Sequence, residues 1–424
     1  MTPRPIRLEL DDDLRRSRLT VFFRLLLAIP HFIWFVLWTV AVLVVSVIGW
    51  VAALLLGRLP ASLHRFLAAY VRYVTHLGAY LGLTANPYPS FTGEPGYPVD
   101  LAIPEPHAQS RWKIALRLPL ALPAVIVAAA LGSGFSGGGG GSATRDSEAQ
   151  WFTSSGVGVA TLCAFLGWFA ALATGRMPNG LRDLGAYGTG YAAQTYAYLL
   201  LLTDRYPNSD PEALGPAWSL HEHPVRLELA DDLRRSRLTV LFRLLLSLPH
   251  LVWLLLWTVP AALAALANGT VALVLGRSAG PLHRFLAAYV RYAAHVSAFL
   301  FLVANPFPGF VGAPGYPVDI AIDPPSPQRR AITFFRLLLV LPAFLLSAGL
   351  GGALFVVGIL GWFAGLLTGR MPEGLRNLGA IAIRYSAQTS AYGAVLTDRY
   401  PYASPAVRAR STEQLEPPIE ALAS

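Results

Sequence analysis

The stretch RLELDDDLRRSRLTVFFRLLLAIPH at residues 7–31 returns as RLELADDLRRSRLTVLFRLLLSLPH at residues 226–250. A repeat this long restricts the chain to folds that use one supersecondary unit more than once. Each half also repeats within itself. FRLLLAIP from Phe23 matches LRLPLALP from Leu116, and FRLLLSLP from Phe242 matches FRLLLVLP from Phe335. Gly57-Arg58, Gly175-Arg176, Gly276-Arg277 and Gly369-Arg370 keep the same register, and a glycine-rich insertion within 132–156 is the only gap required.

Each unit opens on a short alternating run bounded by proline: PIRLEL, PVDLAI, PVRLEL or PVDIAI. Such a run reads as a brief strand. A polar link, a long apolar run, a Gly-Arg punctuation and a second helix follow, and the unit closes on NPYP, TDRYP, NPFP or TDRYP. The units are 1–93 and 94–207, forming a first tandem membrane domain, then 224–312 and 313–403, forming a second. Residues 208–223 read as a linker and 404–424 as a disordered tail.

With 54% of its residues hydrophobic, 13% charged and a mean hydropathy of +0.49, the chain suits lipid as its main solvent. The excess of +9 is almost wholly arginine, since Lys113 is the only lysine. These arginines flank apolar runs, where anionic headgroups attract them, so membrane lipid rather than nucleic acid is the expected partner. Cys163 is the single cysteine, which excludes an internal disulfide. No cleavable signal peptide is legible, and the first apolar segment reads as an uncleaved anchor.

An apolar run of about 37 residues would extend about 55 Å as one helix, against a hydrocarbon core of about 30 Å. The insertion in the second unit carries Arg145, Asp146 and Glu148, which do not belong among lipid tails. Each run is therefore expected to turn, near residues 38, 132–156, 259 and 351. The expected fold class is an all-α integral membrane protein: four repeats of a short strand, a transmembrane helical hairpin and an amphipathic helix in the interface, with small cytoplasmic β segments. Eight spans follow, with both termini cytoplasmic, because the arginines gather at the open ends of the hairpins. If the third helix of each unit crosses as well, the count becomes twelve.

Arg24, Arg117, Arg243 and Arg336 recur about a turn inside the first helix. Snorkelling accounts for them, and a ring binding lipid headgroups or another anion is the sharper reading. His31 and His250, with Asn268 in the third unit, are the polar intramembrane candidates. Histidines in a bundle can ligate metal or relay protons, yet no second-shell pattern accompanies these, and packing or hydrogen bonding is the expectation. Asp11, Asp12 and Asp13 precede a helix start and read as capping or ion-pairing groups. GxGxxG and GxSxG are spelled in the glycine insertion without the strand or helix that would give them meaning. No catalytic residue, metal site or cofactor is expected.

The short strand, the RLxLxLP helix start, the Gly-Arg punctuation and the closing TDRYP at Thr203 and Thr397 resemble the bacterial membrane family known as domain of unknown function 4389. The resemblance covers nearly the whole chain as two tandem copies of the longer form. Units one and three depart from it at the close, with Asn86-Pro87-Tyr88-Pro89 and Asn305-Pro306-Phe307-Pro308. It implies a location in the bacterial cytoplasmic membrane and adds no chemistry. The expected function is a non-enzymatic, multi-pass membrane protein acting as a lipid-interacting scaffold or assembly factor, with anionic lipids and a membrane protein as partners. The alternative is a small-solute or ion transporter or channel built from internal repeats.

Overall fold

The computed structural model describes residues 6–132, 158–219 and 222–407. The polar insertion and most of the tail expected to be disordered lie outside the described residues. The chain divides into two compact units, one made chiefly of residues 1–220 and the other chiefly of 221–402. Both are mostly helical.

In the first half, β1 (Arg7–Leu10) precedes α1 (Arg18–Leu27), α2 (Ile29–Leu56) and α3 (Ala61–Leu81). Then come β2 (Val99–Ala102), α4 (Arg111–Ala115), α5 (Arg117–Leu131), α6 (Val159–Thr174) and α7 (Asn179–Leu199). The second half runs β3 (Val225–Leu229), α8 (Arg237–Leu241), α9 (Arg243–Leu275), α10 (Gly280–Leu300), β4 (Val318–Ile322), α11 (Arg330–Phe334), α12 (Arg336–Leu339), α13 (Leu341–Thr368) and α14 (Glu373–Gly393). Strands β1 and β2 pair antiparallel with Leu8 opposite Leu101, and β3 pairs with β4 with Leu227 opposite Ile320.

The apolar runs do not turn where the sequence suggested. Helix α2 continues through Trp38, α9 through Val259 and Pro260, and α13 through Gly351. The expected hairpins at these positions are absent, and the eight-span count that rested on them no longer follows. The physical reason is that an uninterrupted helix satisfies every internal backbone group, whereas a turn among apolar side chains would leave several unsatisfied. Three helices are long and apolar enough to cross a membrane: Arg18–Leu56, Arg243–Leu275 and Arg336–Thr368. The helices on either side of the insertion, α5 and α6, are shorter. A Cβ on Gly158 would collide with the Gly132 carbonyl, and one on Gly188, midway along α7, would meet both Leu131 and Ala160. Thus α5 and α6 follow one another end to end along α7.

The long helices end as the Gly-Arg punctuation implies. Gly57, Gly175, Gly276 and Gly369 take φ of +73°, +73°, +70° and +69°, the left-handed conformation that stops a helix without a Cβ clash. Small residues inside the helices allow close approach: a Cβ on Gly49 would press on Leu59, and one on Gly167 on Met177.

A second correction concerns α3, which the sequence placed flat in the interface. It is enclosed instead, with Leu67, Val71, Tyr73, Leu77 and Tyr80 all buried. One face meets α2, where Tyr70 Oη bonds Thr39 Oγ1 at 2.8 Å. A second face meets α7, where a Cβ on Gly185 would lie 3.1 Å from Thr84. The third meets β2 and its flanking chain. The amphipathic pattern therefore divides one protein layer from another, because Arg72 and His76 find a carboxylate there and need no water.

The two units of the first half are antiparallel and exchange equivalent contacts. Arg16 N donates to Gly175 O while Gln109 N donates to Gly57 O, both at 2.9 Å. Trp168 Nε1 donates to Val21 O at 3.1 Å and Trp50 Nε1 to Ile114 O at 2.9 Å. The pair α3–α7 thus has α1–α2 and α5–α6 on one side and the β1–β2 sheet on the other. The second half repeats these bonds, with Arg235 N to Gly369 O at 2.9 Å and Gln328 N to Gly276 O at 2.8 Å.

Candidate functional site

The described residues of greatest chemical interest gather at the C-terminal ends of α3, α7, α10 and α14. A helix end leaves carbonyls without intrahelical partners and carries a partial negative charge. Here the chain leaves each helix through a left-handed residue that is not glycine: Leu83, Leu201, Leu302 and Val395, with φ between 58° and 62°. Their carbonyls and those around them turn inward, where a buried cation meets them.

That cation is the recurring arginine. Arg24 Nη1 donates to Tyr80 O and to Ala85 O, the latter at 3.1 Å. Arg243 reaches Phe299 O at 2.6 Å and Ala304 O at 2.9 Å. Arg336 reaches Tyr392 O at 2.8 Å and Thr397 O at 2.6 Å, and Arg117 reaches Thr203 O at 3.0 Å. Each guanidinium also lies over an aromatic ring, Tyr80, Tyr198, Phe299 or Tyr392, at 4.2–4.5 Å from the centroid. All four side chains are 1–3% exposed. The sequence located these arginines within the first helix of each unit. The structure adds that each reaches across to the helix end of its own unit.

A second donor completes each end, and sequence reasoning missed it. Arg16, paired with Asp12 at 2.7 Å, donates to Leu83 O at 2.8 Å, and Arg235 with Asp231 repeats this at Leu302 O. At the other two ends the donor is an amide: Gln109 Nε2 to Leu201 O at 2.6 Å and Gln328 Nε2 to Val395 O at 2.9 Å. The available signal was that Asp12 and Arg16 stand four apart, as do Asp231 and Arg235.

These helix ends fall within repeated copies of one domain. The family model described as domain of unknown function (DUF4389) matches residues 18–93, 152–209, 237–311 and 330–404, more than half of the chain. The chain belongs to the DUF4389 family. No curated protein and no solved structure matches it. The matched regions of this DUF4389 protein span the recurring arginines except Arg117, together with all four helix ends.

His31 and His250 are fully buried at the start of the long helices. His31 Nδ1 bonds Tyr73 Oη at 3.1 Å and its ring stacks on Phe91, while His250 meets Tyr292 Oη at 2.8 Å and stacks on Phe310. Asn268, also fully buried, donates to Ala394 O at 3.0 Å and Val395 O at 3.3 Å and accepts from Ala279 N at 3.3 Å. It ties α9 to the end of α14, so His31 and His250 occupy equivalent places and Asn268 a different one. Beside these histidines, Trp34 and Trp253 donate to Phe91 O and Phe310 O.

A further pair joins a repeated histidine to an aspartate that the sequence did not single out. His76 Nε2 meets Asp100 Oδ1 at 3.0 Å, with Arg72 Nε 3.2 Å away, and His295 meets Asp319 at 2.8 Å. Burial pushes the Asp100 carboxyl up, but hydrogen bonds from His76 and from the amides of Gly96 and Leu101 more than offset it and hold it below the usual carboxylate range. Asp319 is lowered in the same way by His295, Gly315 and Ile320. The signal was in the repeat, since His76 and Asp100 return together as His295 and Asp319.

Proposed function

We propose that this DUF4389 protein is a non-enzymatic, lipid-interacting scaffold or assembly factor of the bacterial cytoplasmic membrane, with its termini on the cytoplasmic side. The observation that carries this reading is the outer face of the long helices. Leu25, Val36, Val40, Leu43, Val47 and Leu55 of α1–α2 are 59–71% exposed, and α9 is similarly exposed at Leu244, Leu255, Leu263 and Leu266. Contiguous apolar surface of this length is not stable against water and marks a contact with lipid or protein. Exposed arginines border it, which suits anionic headgroups. The inner arginines Arg24, Arg117, Arg243 and Arg336 hold helix ends, so headgroup contact falls to exposed Arg58, Arg65, Arg277 and Arg284. The four sequence units then serve as a repeated frame that lays out this surface, on which a membrane-protein partner could assemble.

The test is lipid retention. Changing Arg58, Arg65, Arg277 and Arg284 together to Gln should reduce co-purifying phosphatidylglycerol, each arginine near the surface contributing roughly 1 kcal/mol. Unchanged anionic lipid, with the protein still in the membrane fraction, would sink the lipid-interacting reading. Solute or ion flux through vesicles containing the purified protein would put a transporter in its place.

A further inference from the structure

We infer that each half lies along the membrane, with its long apolar helices sunk into a single leaflet, and does not cross it. This rests on the membrane reading above and adds its geometry.

The first ground is the path of the chain between the units of the first half. Helix α3 has 21 residues and so extends about 31 Å, roughly the thickness of the hydrocarbon core. Leu83 stands at one end of it, and Gln109, bonded to Gly57 O, stands at the other. The chain between them is not helical. It passes His31 and Trp34 at Phe91, meets the middle of α3 at Gly93, where a Cβ would collide with Ala69 O, and reaches His76 at Asp100. Along this path Pro87, Ser90, Thr92, Glu94, Gly96 and Glu105 are exposed. If α2 and α3 stood across the membrane, this polar chain would cover the full hydrocarbon depth facing lipid, where irregular backbone is not tolerated. Residues 302–328 of the second half follow the same course, with Phe310 at His250, Gly312 at Ala288 and Asp319 at His295.

Charge gives the second ground. Exposed Arg15, Arg18 and Arg176 lie at one end of the α1–α2 layer, and exposed Arg58, Arg65 and Arg111 at the other. A crossing helix would put three arginines on each side of the membrane, against the bias that fixes orientation. A helix lying in one leaflet brings both clusters to the same anionic surface. Of the exposed acids, Glu9, Glu94 and Glu105 belong to the sheet side, away from that surface, while Asp11 and Asp13 lie beside Arg15 and Arg18.

Length gives the third. The continuous helical stretch Arg18–Leu56 has 39 residues and Arg243–Leu275 has 33, about 58 Å and 50 Å. Both exceed the hydrocarbon core of about 30 Å even at a tilt of about 40°. Lying flat, neither length carries a mismatch.

Depth along α1–α2 tests this directly. Nitroxides at Leu25→Cys, Val40→Cys and Leu55→Cys, in full-length Cys163→Ala protein, are placed in vesicles of equal phosphatidylethanolamine and phosphatidylglycerol. Depth is then read from the ratio of oxygen to aqueous nickel relaxation. The inference expects the same depth at all three sites. A deep Val40 between shallow Leu25 and Leu55 would overturn it while leaving the membrane reading intact. Full aqueous access at all three, with the protein not floating with the vesicles, would overturn the membrane reading as well. Spin–spin broadening that survives dilution into excess lipid would assign the face to a second copy instead. Hydrogen exchange on the unmodified protein in the same vesicles avoids the substitutions: amides of 87–96 should exchange as a solvent-exposed loop, and bilayer-level protection there would refute the flat arrangement.

Discussion

Within the first half, the ends of α3 and α7 face the same problem and solve it with different chemistry. Both present carbonyls around a left-handed residue, Leu83 or Leu201, and both receive an arginine from their own unit. At α3 the second donor is the Arg16–Asp12 ion pair; at α7 it is the neutral Gln109, whose Oε1 in turn accepts from Arg117. The contrast extends about two turns back. His76 of α3 bonds the Asp100 carboxylate, whereas Gln194 of α7 accepts from the Asn208 amide at 3.0 Å. One helix end receives two guanidinium groups and the other a guanidinium and an amide. Geometry at a helix end is evidently more restrictive than the donor that meets it, because a carbonyl accepts from a guanidinium or an amide alike.

The largest expected effect tests what the two ends share. Arg24→Ala and Arg117→Ala should each lower stability in detergent by about 4 kcal/mol, since each strips a buried cation from helix-end carbonyls. Thermal unfolding checks this, and clearly unequal losses would break the equivalence. Asp12→Asn comes next and belongs to α3 alone. It leaves Arg16, whose side chain is fully buried, without its counter-ion, and should cost about 3 kcal/mol. Gln109→Ala at the α7 end removes the bond to Leu201 O and the one accepted from Arg117, but strands no counter-ion, and should cost about 2 kcal/mol. If Gln109→Ala were the more damaging, the distinction between an ion-paired donor and an amide donor would fail.

The smallest effect is a pH dependence confined to α3 and α10. Asp100 and Asp319 are held below their ordinary range, so their unfolded values lie above their folded ones. Their contribution is therefore present above roughly pH 4 and is lost as pH falls through the folded value. Acid melts of the native protein should show this loss, and Asp100→Asn with Asp319→Asn should flatten it. Gln194→Ala should leave the acid limb unchanged.

Several of these features were determined by sequence alone. The repeat placed the four arginines in equivalent positions, proline-bounded alternation located the strands, and the Gly-Arg pairs marked the helix stops that positive φ confirms at Gly57, Gly175, Gly276 and Gly369. Each is a local matter, settled by side-chain alternation or by the absence of a Cβ. Tertiary structure alone decided that α2, α9 and α13 run through the expected turns, that α5 and α6 meet end to end at Gly132 and Gly158, and that α3 is enclosed. It also decided that Arg24 meets Tyr80 and Ala85, and His76 meets Asp100. The reason is that periodicity shows which side of a helix is apolar and not what covers it. Lipid tails and a protein core both accept Leu and Val, and an arginine beside an apolar run is equally well served by a headgroup or by a helix end. Only the packing of α7 and β2 against α3 chooses between them.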